Sequence, residues 1–152
     1  MYEKFGQFID GNWSPSSNGE TYDVINPATE EVLGKASKAS SEDVDRALKS
    51  AEKGLLVWKK IAPWQRSYII RKIADKIREK QDVLAKWMTL EVGKPLAEAK
   101  GEIAGAADIF EWNAEETKRI YGQTVESRFE ETRVHVYYQP VGVVAALSPW
   151  NF

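Results

Sequence analysis

Apolar and polar positions alternate with a period of two near the amino terminus and shift to spacings of three and four from about residue 41. Short strands are therefore expected to precede helices. Phe5-Gly6-Gln7-Phe8-Ile9 alternates and runs into Asp10-Gly11-Asn12, residue types that accept the positive φ of a tight hairpin turn. The return strand carries Trp13. Thr21-Tyr22-Asp23-Val24-Ile25 reads as a second extended run, Asn26-Pro27-Ala28-Thr29 as a turn, and Val32 to Ala36 as its antiparallel mate. Together these predict a small sheet at the edge of something larger.

At Ser40-Ser41-Glu42-Asp43 a serine can cap the free amides of a helix, and acidic residues suit the positive end of its dipole. Val44, Ala47, Leu48, Ala51, Leu55 and Trp58 then predict a helix with one buried face, reaching about Lys60. Pro63 opens the next helix, where a missing amide costs least, and Ile69, Ile70, Ile73, Ala74 and Ile77 mark its apolar face. Glu79-Lys80-Gln81-Asp82 interrupts that stripe. Val83, Leu84, Trp87, Met88 and Leu90 resume it until Gly93 and Pro95. Leu96 to Tyr121 is the longest helical candidate, closed by Gly122. Its Gly101, Ala104, Gly105, Ala106 and Ala107 predict a surface that another element approaches closely.

Thr132 to Gln139 alternates again, with Val134, Val136 and Tyr138 on one face. After Pro140, the run Val141-Gly142-Val143-Val144-Ala145-Ala146-Leu147 is apolar on both faces, the mark of a central parallel strand. Such a strand needs neighbours and covering helices, yet only Ser148-Pro149-Trp150-Asn151-Phe152 follows. The expected fold class is α/β, in the form of a truncated part of a larger protein.

Composition narrows the chemistry. With 43% hydrophobic and 29% charged residues in 152, the chain is of ordinary globular make-up. Its net charge is −2, and its 21 basic residues are interleaved with acidic ones, so nucleic acid is not an expected partner. No apolar run approaches the roughly 18 residues of a membrane span, and the start lacks a leader signature. The expectation is a cytoplasmic setting without a membrane. There is no cysteine, hence no disulfide and no thiolate nucleophile in this stretch. The single histidine, His135, reads as a surface or cross-strand partner, and Glu115-Glu116 and Glu130-Glu131 as solvated faces. There is no Gly-x-Gly-x-x-Gly loop. From the residues alone, no active site can be assembled.

Several strings in order change that picture. Phe8-Ile9-Asp10-Gly11-Asn12-Trp13, Val24-Ile25-Asn26-Pro27-Ala28-Thr29, Glu91-Val92-Gly93-Lys94-Pro95 with Glu98-Ala99 and Glu102, Pro140-Val141-Gly142-Val143 and Pro149-Trp150-Asn151-Phe152 resemble aldehyde dehydrogenases in wording and sequence order. Glu98-Ala99-Lys100-Gly101-Glu102-Ile103 and Glu115 to Gly122 look most like the succinate-semialdehyde branch.

The resemblance implies the amino-terminal part of the aldehyde dehydrogenase fold: small hairpins, three to four long helices, an oligomerisation hairpin and the first strand of a nucleotide-binding sheet. Residues 1–122 would belong to the cofactor-binding domain, 123–142 to the hairpin through which homo-oligomers form, and 143–152 to that first strand. It implies oxidation of an aldehyde to a carboxylic acid with NAD or NADP in the complete enzyme. Asn151 matches the asparagine whose amide donates to the aldehyde oxygen as it becomes an oxyanion. Ser148, Pro149, Trp150 and Asn151 would lie along the nicotinamide nucleotide, and Phe152 would wall the substrate tunnel. Ile25, by its carbonyl, and Glu91, by its carboxylate, fall where some members hold a structural monovalent cation. The family's cysteine nucleophile, its water-activating glutamate and its cofactor-binding glycines and lysine lie beyond Phe152, so this chain alone is expected to be inactive. The alternative is a non-catalytic interaction module that docks on full-length subunits.

Overall fold

The computed structural model describes residues 6–148. Its first element is a hairpin of β1 (Gln7–Ile9) and β2 (Asn12–Ser14), in which Phe8 faces Trp13 with ring centroids 5.1 Å apart. The two-residue loop holds Asp10 at φ 54° and Gly11 at φ 78°, the pair of positive values that matches strand twist in a tight hairpin. A second hairpin joins β3 (Thr21–Ile25) to β4 (Val32–Ser37), with a bulge at Val24 and Ile25. Its turn is tied by Asn26, whose Oδ1 accepts from the Ala28 amide at 2.9 Å. The two hairpins form separate two-stranded sheets, where the pattern suggested one.

Helix α1 (Ser41–Trp58) starts at Ser40 with a reciprocal capping box: Ser40 Oγ accepts from the Asp43 amide, and Asp43 accepts from the Ser40 amide. Helix α2 (Pro63–Glu79) has proline at its first position, and α3 (Gln81–Val92) follows after Lys80. Gly93 ends α3 in the left-handed region at φ 77°, donating to the Thr89 carbonyl. Helix α4 (Leu96–Glu116) continues as a 3-10 turn over Thr117–Arg119, a few residues short of the boundary that Gly122 suggested.

The core is a seam of small side chains. Helices α2 and α3 both pack on α4, and the buried apolar side chains among the described residues are Ala74, Ala85, Met88, Ala99, Ala107 and Ala114. Met88 lies with Ala85 and Ala99 against Val92 and Ile103. Ala107 is buried as expected, but the glycines beside it are not approached: a Cβ at Gly101 or Gly105 would meet nothing within 4 Å.

The buried face expected for α1 is bare. Asp43 is the buried residue of that helix, while Val44 is 50% and Leu48 46% exposed. Periodicity marks a helix face that is apolar, and another element has to cover it.

Beyond α4, β5 (Gln123–Glu126) pairs antiparallel with β6 (Arg133–Val136), every residue of both exposed. Gly122 permits this hairpin to close, because a Cβ there would stand 2.6 Å from the Val136 carbonyl oxygen. Residues 143–147 form no strand, and Leu147 is 97% exposed. The expected central strand lacks a partner among the described residues, and a strand without a ladder has no hydrogen bonds to hold it.

Candidate functional site

The carboxy-terminal string carries most of the expected chemistry. Ser148 is the last described residue and is exposed, without a place in a helix or strand. Pro149, Trp150, Asn151 and Phe152 lie outside the described residues.

Ile25 and Glu91, the residues expected at a cation position, lie at the end of β3 and in the last turn of α3. Gly93 packs on Pro27 so closely that a Cβ would sit 3.2 Å from the proline Cγ. That contact brings the turn after Ile25 to the last turn of α3, which carries Glu91. The carbonyl end of a helix is partially negative, and a carboxylate beside it suits a hard cation with oxygen ligands. Among the described residues, no cluster of three or more His, Asp or Glu side chains could hold a metal ion.

Asp43, which the sequence marks only as an acidic residue suited to a helix start, is the most elaborated polar centre among the described residues. Its side chain, 1% exposed, accepts from the Ser40 amide at 3.0 Å, the Ser17 amide at 3.1 Å, Gln7 Nε2 at 3.1 Å and Ser16 Oγ at 2.9 Å. Arg46 Nη1 adds an ion pair at 3.1 Å. The Ser40 amide, then the Ser17 amide, the Gln7 side-chain NH2 and the Ser16 hydroxyl, hold the carboxyl well below the ordinary carboxylate range against the opposing effect of burial. The centre clips α1 to the first hairpin and the turn after it. Its signal was present as the spacing Ser40-x-x-Asp43.

A second polar assembly joins α2 to α4. Arg71 pairs with Glu111 at 2.7 Å and with Glu115, and Arg78 with Glu111 at 2.6 Å and Asp108 at 2.9 Å. Lys118, lying 4.9 Å from the Trp64 ring centre, bonds Glu115 at 2.5 Å; it is the main cause, with Arg71, of a lowered Glu115 carboxyl. Glu116 pairs with Arg119 at 3.0 Å. The two glutamates read as a solvated face are thus ion-paired, which suits a structural role rather than proton transfer. A third pair, Lys94 with Glu102, bridges the break before α4 and links two of the strings quoted above.

His135 stands opposite Thr124 in the β5–β6 register, with Nδ1 3.2 Å from Thr124 Oγ1, the cross-strand place expected of it. These groups are spread over separate elements. They hold the fold together and form no nucleophile–base pair.

A model of the aldehyde dehydrogenase family matches residues 13–152. The glutarate-semialdehyde dehydrogenase of Pseudomonas aeruginosa is 46% identical over 95% of this chain, and the NADP(+) succinate-semialdehyde dehydrogenase of Escherichia coli K12 is likewise 46% identical over 95%. Each match covers 30% of the relative. A solved aldehyde dehydrogenase from Brucella melitensis biovar abortus superposes with a TM-score of 0.91 at 42% identity, over 95% of this chain and 30% of that one. This chain therefore spans about 30% of the length of the curated relatives it matches. By sequence over nearly all its length, and by the arrangement of its hairpins and helices, the chain belongs to the aldehyde dehydrogenase family.

Proposed function

We propose that this chain is the amino-terminal part of a cytoplasmic NAD(P)-dependent dehydrogenase that oxidises a short aldehyde with a carboxylate at its other end, succinate or glutarate semialdehyde, to the diacid. The observation that carries this reading is the equal 46% identity to a glutarate- and a succinate-semialdehyde dehydrogenase over 95% of the chain. The NADP(+) in the name of the Escherichia coli relative supports a nicotinamide cofactor.

Within that enzyme, the side-chain amide of Asn151 donates to the aldehyde oxygen as negative charge develops there, a preorganised donor of the kind that lowers barriers in a water-excluded site. Ser148, Pro149 and Trp150 line the nucleotide, which accepts the hydride when bound, and Phe152 borders the substrate. Ile25 and Glu91 hold a monovalent cation that fixes the β3 turn against α3; the Gly93–Pro27 contact supports this. Residues 123–142 join subunits, a role favoured by a hairpin exposed along both strands.

The nucleophile has to come from outside this cysteine-free sequence. The purified chain is expected to show no aldehyde-dependent reduction of NAD or NADP. Co-expression with a polypeptide supplying the remaining part of a relative restores turnover, with succinate and glutarate semialdehydes preferred over uncharged aldehydes of equal length. Turnover by the chain alone, or no preference in the reassembled enzyme, overturns the proposal. The second reading, an interaction module, rests on the same exposed hairpin; failure to co-elute with a full-length relative removes it.

A further inference from the structure

We infer that Asn18 is a site of spontaneous deamidation, and that the carboxylate it gains loosens the Ser16–Ser17–Asp43 anchor of α1. Asn18 is exposed in a turn where the Gly19 amide donates to the Ser16 carbonyl at 3.0 Å. It is the asparagine followed by glycine: Asn26 precedes a proline with no amide N–H, Asn12 precedes Trp13 in β2, Asn113 lies inside α4, and Asn151 precedes Phe152.

The turn places the two groups of an acyl transfer on adjacent residues. The nucleophile is the Gly19 nitrogen, on a residue at φ 71° that has no side chain of its own to obstruct approach to Asn18 once its hydrogen bond to the Ser16 carbonyl opens. The electrophile is Asn18 Cγ. Its Oδ1 already receives Ser16 Oγ–H at 2.8 Å and the Glu20 amide at 3.0 Å; the second donor fixes which atom is the oxygen. These are the donors that an oxyanion at that atom requires. Once the bond to Ser16 opens, the Gly19 nitrogen bonds to Asn18 Cγ and gives its proton to solvent base. The Cγ–NH2 bond breaks as its nitrogen takes a proton from the solvent, ammonia leaves, and a cyclic imide remains. Water then opens either carbonyl, leaving aspartate or isoaspartate.

The product conflicts with the anchor. The Ser16 hydroxyl has one proton, and it stands 2.8 Å from Asn18 Oδ1 and 2.9 Å from Asp43 Oδ2. An amide oxygen shares that proton without repulsion. A carboxylate at position 18 sets a second negative charge across one hydroxyl from Asp43, on the side where Ser16 and Ser17 hold α1.

The test is to incubate the intact protein carrying this sequence in warm, mildly alkaline buffer and map asparagine-containing peptides by mass. Residue 18 is expected to convert to aspartate and isoaspartate with first-order kinetics, while Asn12 and Asn113 keep their amides. An Asn18 that survives while the urea-unfolded protein converts overturns the site. Separately, Asn18→Asp is expected to speed hydrogen exchange at the Asp43 and Val44 amides about fivefold. Aged Asn18→Gln protein, which closes the imide poorly, keeps its initial exchange rates. Equal exchange in Asn18→Asp and parent overturns the link to the anchor.

Discussion

Lys94 and Glu102 pair across the start of α4 with their side chains only 11% and 19% exposed, so a residue of the loop is held to the second turn of the helix that follows it. The Lys94-Pro95 step leaves the first turn of α4 without a side-chain cap, and this ion pair fixes its direction instead. Pairs at the surface contribute little, but removing one partner of a largely buried pair strands the other charge. Lys94→Ala is expected to destabilise the chain by about 2 kcal/mol in urea unfolding, Glu102→Gln by about 1 kcal/mol, and the double variant by less than their sum. Strict additivity would show that the two side chains do not depend on each other.

The Asp43 clip makes a pH prediction. Its carboxyl is held below the ordinary range when folded, so the unfolded chain binds the proton at a higher pH than the folded chain does. The resulting stability is fully present above the unfolded carboxylate value of about 4 and is lost as pH falls further toward the folded value. Thermal unfolding should therefore be flat near neutrality and weaken in acid. Asp43→Asn, which turns an amide NH2 toward donors, lowers the melting temperature at neutral pH and flattens the acid decline. An unchanged acid slope in that variant assigns the decline to other carboxylates.

Gly101 and Gly105 carry the opposite expectation. Glycine inside a helix is less favourable than alanine, and here no side chain or atom of another element lies within 4 Å of either missing Cβ. Gly101→Ala and Gly105→Ala should each stabilise the chain by about 0.5–1 kcal/mol in chemical unfolding. If either substitution instead weakens a reassembled enzyme, the small surface receives an element supplied by the rest of the protein.

Residues 141–147 present Val141, Val144 and Leu147 to solvent. Exposed apolar, uncharged runs of this kind promote association. Val144→Lys with Leu147→Lys should reduce binding of a hydrophobic dye and raise solubility of the chain alone, yet abolish activity once the complete enzyme is reconstituted. Equal dye binding would place the sticky surface elsewhere, with the bare face of α1 the next candidate.

Asn151 is testable in the reconstituted enzyme. Asn151→Ala should lower kcat by about 100- to 1,000-fold with a smaller change in KM, as for the loss of one oxyanion donor. A change confined to KM would remove it from that role.

Local signals in the sequence translated well because their causes are local. Asp10-Gly11 gives the tight turn, Ser40 the cap, Pro63 the start of α2 and Gly93 the stop of α3. What the sequence could not convey was whether an apolar face has a cover. Val44 and Leu48 are correctly periodic but bare, and the run from Val143 to Leu147 forms no strand because pairing depends on residues elsewhere. The Lys94–Glu102 pair escaped notice for a related reason: eight positions separate the two, and a helix break intervenes. The family strings were legible as wording, while their chemistry at Pro149 to Phe152 rests on residues outside those the structure describes.

The alanine seam between α2, α3 and α4 has one more effect, on how this sequence can drift. Ala74, Ala85, Ala99, Ala107 and Ala114 are each fully enclosed, and at such positions only glycine is smaller. Replacement by glycine weakens a helix, and replacement by anything larger prises two helices apart. Substitution therefore has almost nowhere to go at these five places, whereas the large exposed aromatics around them can exchange with far less penalty to the isolated fold.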